Sequence, residues 1–400
     1  MAITFTERYV TASASGGGTG TQASPWTFAE ALTNAAAGDR VNVQVGTYAG
    51  DNTQMTADGT RTSPIVFRGY QTTIGDLDDN TDALVDGTEI PYITGAVDGG
   101  GFNTCNWTFL NHLSFRTTKD YNNNGWIVKL VHGYARRCKF VNQASGAGSN
   151  NVYAITTGDT TNFYDCYIAS YGTSYGLSNG KANHSVGNTF EYLGTSARGS
   201  NGMLAYRSVG NTYIRLSTGM TFSYETYPIL VTDCTFYDCS VGVRTNPSVQ
   251  DYARTRTIAN CYLANCTTGI ASNLTDNSGF HVVNCGFYNN TNNVGPNVPL
   301  LVNPKYDTSD PFVDSANYDL RLVSGSSGYG TAFPQRSYKT AELNNRDVGS
   351  MQHADPSASS GGSSSTQAGT QVYTFRQWVE DDFGSGGSGG GATIHPLYAN

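Results

Sequence analysis

Two cysteine pairs recur in this chain at a matched spacing. TDCTFYDC (Thr232 to Cys239) is echoed by ANCYLANC (Ala259 to Cys266). Matched thiols can hold a metal or close disulfides. A zinc site needs four ligands converging, with Cys-x₂₋₄-Cys spacing and His partners. Here the paired cysteines stand five positions apart, the pairs lie far apart in sequence, and no His follows at ligand spacing. Disulfides between stacked segments are geometrically open. However, the N-terminal MAITFTERYVTAS has no basic start and no apolar core, so no secretory signal is expected and the thiols are expected to stay reduced.

Carboxylates offer a second chemistry. Glycoside hydrolysis uses two carboxyl groups, about 5 Å apart for retention and about 6.5–9.5 Å for inversion. Glu191 and Asp238 are the candidate pair. The loop GDLDDNTDALVDG (Gly75 to Gly87) sets Asp76, Asp78, Asn80 and Asp82 in alternation, a pattern of oxygen ligands that could hold Ca²⁺. It lacks the sixth-position Gly and twelfth-position Glu of a calcium loop, and a solvated insertion is the simpler reading. Arg136, Arg137, Arg254 and Arg256 could bind acidic sugars or serve as ordinary outer-face charges. His132, in Val131-His132-Gly133, follows an apolar strand and reads as structural. No cofactor and no metal is expected.

What could position such groups is a repeat. RRCKF (Arg136 to Phe140), YDCYI (Tyr164 to Ile168), TDCTF, ANCYL and VNCGF (Val283 to Phe287) share one form. VGNTF (Val186 to Phe190) and VGNTY (Val209 to Tyr213) carry Asn in the cysteine slot, and NHLSF carries Leu. The slot is Leu113, Cys138, Cys166, Asn188, Asn211, Cys234, Cys261 and Cys285, with steps of 22 to 28 residues. Two residues on stands Phe115, Phe140, Ile168, Phe190, Tyr213, Phe236, Leu263 or Phe287. A spacing of two puts both positions on one face of a strand. Short apolar runs before the slots and Gly, Asn and Ser turns between them give two or three short strands per repeat. A period of this length without helical patterning predicts a solenoid of β-coils. Coils stack at about 4.8 Å, so the eight slots span roughly 35 Å.

In this frame the cysteines need no metal. Cys fills an interior column as a small hydrophobe, and Asn in the same column can bond its neighbour above and the turn backbone. Cys239, Cys266 and Asn290 form a second, shorter column. Asp165, Asp233, Asn260 and Asn284 stand just before the slot, where their side chains are expected to bond turn backbone. Glu191 and Asp238 follow their slots two coils apart, an axial separation of roughly 10 Å.

The segments divide as follows. Residues 1–50 hold a strand and a capping helix, expected over Trp26 to Ala37 with Pro25 at its start and closed by Gly38-Asp39. Residues 51–300 are coils and 301–353 a closing segment. Residues 354–370 are a Ser/Gly linker. Residues 371–383, QVYTFRQWVEDDF, place Val372, Phe375, Val379 and Phe383 on one helical stripe beside Trp378. A Gly-rich terminal peptide occupies 384–400. A lone helix of this length is marginal, so its stripe needs a partner: the solenoid itself, another subunit, or a neighbouring protein.

Two stretches resemble a known family. YVTASASGGGTGTQASPWTFAEALTNAAAGDRVNVQVGTY (Tyr9 to Tyr48) and NPKYDTSDPFVDSANYDLRLVSGSSGYGTAF (Asn303 to Phe333), with NNRDVGSMQH (Asn344 to His353) as a final strand, resemble the pectate-lyase-like superfamily in its phage and environmental-bacterial branch. The resemblance covers about residues 9 to 353. It implies a right-handed parallel β-helix and, in catalytic members, polysaccharide cleavage. The signatures of those activities, Asn-Thr-Asp, Gly-His-Gly and Arg-Ile-Lys, are missing, and the fold hosts many functions.

Composition bounds the function. Charged residues are 14% of the chain, Gly numbers 47 and Tyr 26, and the net charge is −8. The lack of basic runs argues against nucleic acid. No apolar stretch of about 18 residues is present, so no membrane-spanning helix is expected. Together with the resemblance, this leads to the expectation of a virion-surface structural protein made in the host cytoplasm: a head decoration, head fibre or tailspike-like appendage. Such a protein is expected to be a homo-oligomer, a trimer most readily, docked through its tail on other virion proteins and able to contact surface polysaccharide. The alternatives are a polysaccharide lyase or glycosidase on the same fold, and a bacterial adhesin, which would need an export route.

Overall fold

A computed structural model describes residues 3–50, 55–78, 87–95, 102–117, 128–143, 161–171, 182–194, 201–203, 205–222, 229–245, 256–272, 280–296, 298, 300–332 and 347–350. They form a right-handed parallel β-helix. Among the described residues three long parallel sheets run along it, beside a two-stranded parallel sheet of Phe102–Asn106 and Val128–Val131. The first has 12 strands, from Thr6–Val10 to Leu300–Val302; the second has 11, from Thr47–Gly50 to Lys305–Asp307; the third has 5, from Asn201–Met203 to Asn292–Val294. Each coil adds one strand to each sheet it reaches, in register with its neighbours: Phe190 pairs Tyr213, which pairs Phe236, then Leu263, then Phe287.

The expected interior columns are present. Leu113, Cys138, Cys166, Asn188, Asn211, Cys234, Cys261 and Cys285 are all buried. The aromatic column two residues on stacks face to face, with ring centroids 4.9 Å apart for Phe190 and Tyr213 and 4.6 Å for Tyr213 and Phe236. Tyr213 is tolerated inside because its hydroxyl meets Ser208 Oγ at 3.0 Å. Cys138, Cys166, Cys234, Cys239, Cys261, Cys266 and Cys285 are buried free thiols. Each donates to the carbonyl two residues back, as Cys234 Sγ does to Thr232 O at 3.2 Å and Cys261 Sγ to Ala259 O at 3.3 Å. Asn211 supplies more: its Oδ1 accepts from Asn188 N at 2.7 Å, and its Nδ2 donates to Ser185 O at 2.9 Å and Ser208 Oγ at 2.7 Å. Asn290 repeats that figure in the second column, accepting from Cys266 N at 2.8 Å.

The N-terminal end is closed by a helix, shorter than expected. It spans Phe28–Asn34, with Thr27 as N-cap. The capping box Thr27-x-x-Glu30 fixes that start. Thr27 Oγ1 accepts from Glu30 N, and the Glu30 carboxylate accepts from Thr27 N at 2.8 Å. Pro25 and Trp26 therefore lie before the helix. Phe28, Ala31 and Leu32 are buried beneath it, with Phe28 5.8 Å from the Tyr48 ring and 6.3 Å from Phe67.

At the other end the chain turns back. The antiparallel pair Phe312–Asp314 and Asp319–Leu322, with Ala332 and Val348, packs on Tyr262 and Ala264 of the second sheet's outer face. Residues 347–350 form no strand. Gly349 N donates to Asn260 O at 2.8 Å, and Ser350 N to Thr235 Oγ1 at 2.9 Å. The linker and the amphipathic segment, with Val372, Phe375, Trp378, Val379 and Phe383, lie outside the described residues.

Candidate functional site

The outer face of the first sheet carries two rows of side chains, fixed by strand parity. One row runs Val66, Phe109, Tyr134, Asn162, His184; the next runs Arg68, Asn111, Arg136, Tyr164, Val186. Coil stacking brings Phe109 and Tyr134 face to face at 4.1 Å, with Tyr164 edge-on to Tyr134 at 6.4 Å. All three rings are half-buried. Beside them are Arg136 and the turn that follows.

That turn is a column of left-handed residues. His112, Arg137, Asp165, Gly187, Gly210, Asp233, Asn260, Asn284 and Asn303 have φ between 50° and 68°. Asn, Asp and Gly suit this region, and Asn284 Nδ2 bonds Asn260 Oδ1 at 2.9 Å, as Asn303 Nδ2 bonds Asn284 Oδ1 at 2.7 Å. The expected role of Asp165, Asp233, Asn260 and Asn284 at a turn thus takes the form of a conformational column. His112 and Arg137 are the unexpected members, since bulkier side chains seldom adopt φ near 50°.

Arg137 is held at the centre of a polar cluster. Its Nη1 donates to Asp78 O at 2.5 Å, and its Nε lies 3.9 Å from Asp165 Oδ2. Arg68 Nη1 meets Asp78 Oδ2 at 3.0 Å, and its Nη2 donates to Asn42 Oδ1 at 2.9 Å. Among the described residues, Asp165 Oδ1 and Asn111 Oδ1 are buried and accept no hydrogen bond. Burial pushes the Asp165 carboxyl up to about 7, against the opposing pull of Arg137 and Arg136. The Tyr134 phenol is raised well above its ordinary value, also by burial. Three arginines thus face two aspartates, one of which keeps its proton near neutrality. The result is a cationic, aromatic island on a chain of net charge −8.

The other candidates fall elsewhere. Asp76 caps its own loop: its carboxylate accepts from Gln71, Thr72 and Thr73 N at 2.8 to 3.0 Å. Burial acts to raise its pKa, but these donors outweigh it and hold the group low. Asp78 is taken by Arg68, and Asn80 and Asp82 lie outside the described residues. Among the described residues, no three His, Cys, Asp or Glu side chains gather as metal ligands. Glu191 is on the outer face of the second sheet and accepts from Tyr167 Oη at 2.7 Å. Asp238 is a left-handed turn residue on the second coil beyond it. Both carboxylates act on Tyr318 of the closing segment. Its phenol is raised first by burial and then by them, while Arg215 opposes. Arg256 is a correction. It shares the parity of inward Ile258 and is 1% exposed, so it is neither a sugar contact nor an outer-face charge. Arg254 lies outside the described residues. His132 stacks on Trp107 at 5.9 Å, a structural contact.

Arg68, Asn111, Tyr134 and Tyr164 were not singled out from sequence. The signal that finds them is positional: parity from the slot puts the second and fourth residues before it on the outside. In that count Tyr164 precedes Cys166 by two, Arg136 precedes Cys138 by two, and Tyr134 precedes it by four.

No protein-family model and no curated protein matches the chain. Among solved structures it is similar to pectate lyase Pel9A, at 11% identity over 88% of this chain and 97% of that one, with a TM-score of 0.46. It is also similar to a mannuronic acid-specific polysaccharide family 6 lyase from human gut microbiota, at 15% identity over 66% and 72% of the two chains, with a TM-score of 0.37. Neither value is high enough to transfer an activity, a substrate or a residue role.

Proposed function

We propose that the chain is a glycan-recognising β-helix of a virion appendage, engaging an acidic polysaccharide across the outer face of its first sheet. The observation that carries the reading is Arg136 beside the half-buried rings of Phe109, Tyr134 and Tyr164, with the largely buried side chains of Arg68 and Arg137 adding positive charge. Aromatic faces suit sugar rings, and guanidinium groups suit carboxylates. The virion setting rests on the sequence: a charge-poor chain rich in Tyr and Gly, ending in a linker and an amphipathic segment.

Electrophoresis of the full chain through gels holding a polyuronate or neutral dextran tests the binding. The polyuronate is expected to retard the protein, and Arg136→Gln and Tyr164→Ala each to relieve most of the retardation. Retardation that ignores both substitutions, or none at all, overturns the reading. Mass spectrometry of particles from the encoding phage tests the setting, and absence of the chain from them overturns it.

One observation favours a second reading, a polysaccharide lyase. Burial pushes the Asp165 carboxyl up to about 7 beside Arg137 and Arg136, the range suited to general acid–base work if a substrate reaches it. Release of unsaturated uronate ends, lost in Asp165→Asn, would establish it.

A further inference from the structure

One end of the solenoid is closed by the Phe28–Asn34 helix, and the other, open end has no covering element among the described residues. At the open end the three interior columns each stop on an apolar side chain. Val294 follows Ile270 in the third sheet, Leu301 follows Val282 in the first, and Tyr306 follows Phe287 in the second. Ile270, Val282 and Phe287 are buried, whereas Val294 and Leu301 are only partly buried and Tyr306 is 55% exposed. Asn292–Val294, Leu300–Val302 and Lys305–Asp307 are the last strands of their sheets, so their outer edges are unpaired among the described residues. Apolar ends and free edges are what solenoids must cover. The other end does so with the Phe28–Asn34 helix.

We propose that this end is capped by the chain's own segment 371–383, laying the stripe Val372, Phe375, Val379 and Phe383 over Val294, Leu301 and Tyr306. Reach supports this occupant. Ser350 is fixed to Thr235, three coils from the final coil at Lys305, an axial distance of roughly 15 Å. The 20 residues 351–370, Met351 to His353 followed by the Ser/Gly-rich 354–370, would span about 25 Å end to end as a flexible chain. A tether of matching length gives the segment an effective concentration in the millimolar range at its own end, above what a second copy reaches in solution. The stripe repeats the logic of the N-terminal cap, an amphipathic helix set across the column ends.

A photoreactive benzophenone amino acid in place of Phe375, in the full chain, reads the contact directly. Irradiation of a micromolar sample is expected to give crosslinks to residues 292–307 at monomer mass. Crosslinks to another copy, to a different face, or none, overturn the proposal. The double variant Phe375→Asp, Val379→Asp changes only the tail and leaves every core residue intact. Amide exchange over 292–307 is expected to quicken by roughly tenfold or more in it, with 65–70 and 108–111 unchanged. Unchanged exchange over 292–307 contradicts the cap.

Discussion

Asp165→Asn should make this protein more stable at pH 8 and less advantaged at pH 5. The wild-type carboxyl is buried in a left-handed turn, and its pKa is raised from 3.8 to about 7. In the unfolded chain it ionises near 3.8, while in the fold it keeps its proton until about 7. Unfolding therefore releases a proton between these values, and stability falls as pH rises through the window, by about 1.36 kcal/mol per pH unit. From pH 5 to pH 8 the loss from this one group is roughly 3 kcal/mol, since the slope ends near pH 7. Asn cannot ionise, and it already occupies the same column at Asn260, Asn284 and Asn303, so the backbone accepts it. Urea unfolding of both proteins at pH 5 and pH 8, followed by fluorescence, gives the double difference. The expected value is about 3 kcal/mol in favour of the variant at the higher pH. A difference that does not change with pH, or a variant that loses ground at pH 8, would show that Asp165 is already ionised in the fold at pH 5. Arg137, 3.9 Å away, would then be holding Asp165 ionised despite its burial.

Three further outcomes follow from the packing. Asn211→Ala strands the amide of Asn188 and the carbonyl of Ser185 inside the solenoid, and is expected to cost about 2–4 kcal/mol in denaturant unfolding; Asn211→Cys, the residue of other coils, should recover part of the loss. Burial raises the thiols of Cys166, Cys239 and Cys261 well above their ordinary values, so iodoacetamide at pH 8 should spare them in the native chain and alkylate them in urea, as peptide mass mapping reads. Thr27→Ala removes the helix cap and should lower stability by about 1 kcal/mol, with faster amide exchange confined to residues 28–35.

The coils were legible because parity and stacking are local rules repeated many times. Once Cys138, Cys166 and Cys234 shared a slot, the aromatic column two residues on followed from strand geometry. Asn188 and Asn211 were legible for the same reason, since only a side chain with both donor and acceptor fits a polar step in that column. The helix start was misplaced because Pro25 is a strong local signal, but the reciprocal bonds of Thr27 and Glu30 decided the boundary. The candidate site was less legible. Arg137 joins Asp78 across 59 positions of sequence, and Asp165 titrates high only because the fold buries it. The closing segment shows the same limit: Ser350 meets Thr235 across 115 residues, a contact no local pattern encodes. Arg256 shows that a charge counted as exposed can be drawn inward by strand parity alone.

Acidic polysaccharide bound along the first sheet's outer face, as proposed, would be seen by hydrogen exchange of the full chain with and without a polyuronate. Exchange is expected to slow in residues 65–70, 108–111, 134–136 and 161–164, with 218–222 and 241–245 of the third sheet unchanged. Protection confined to the third sheet, or no protection at saturating polyuronate, would contradict that binding.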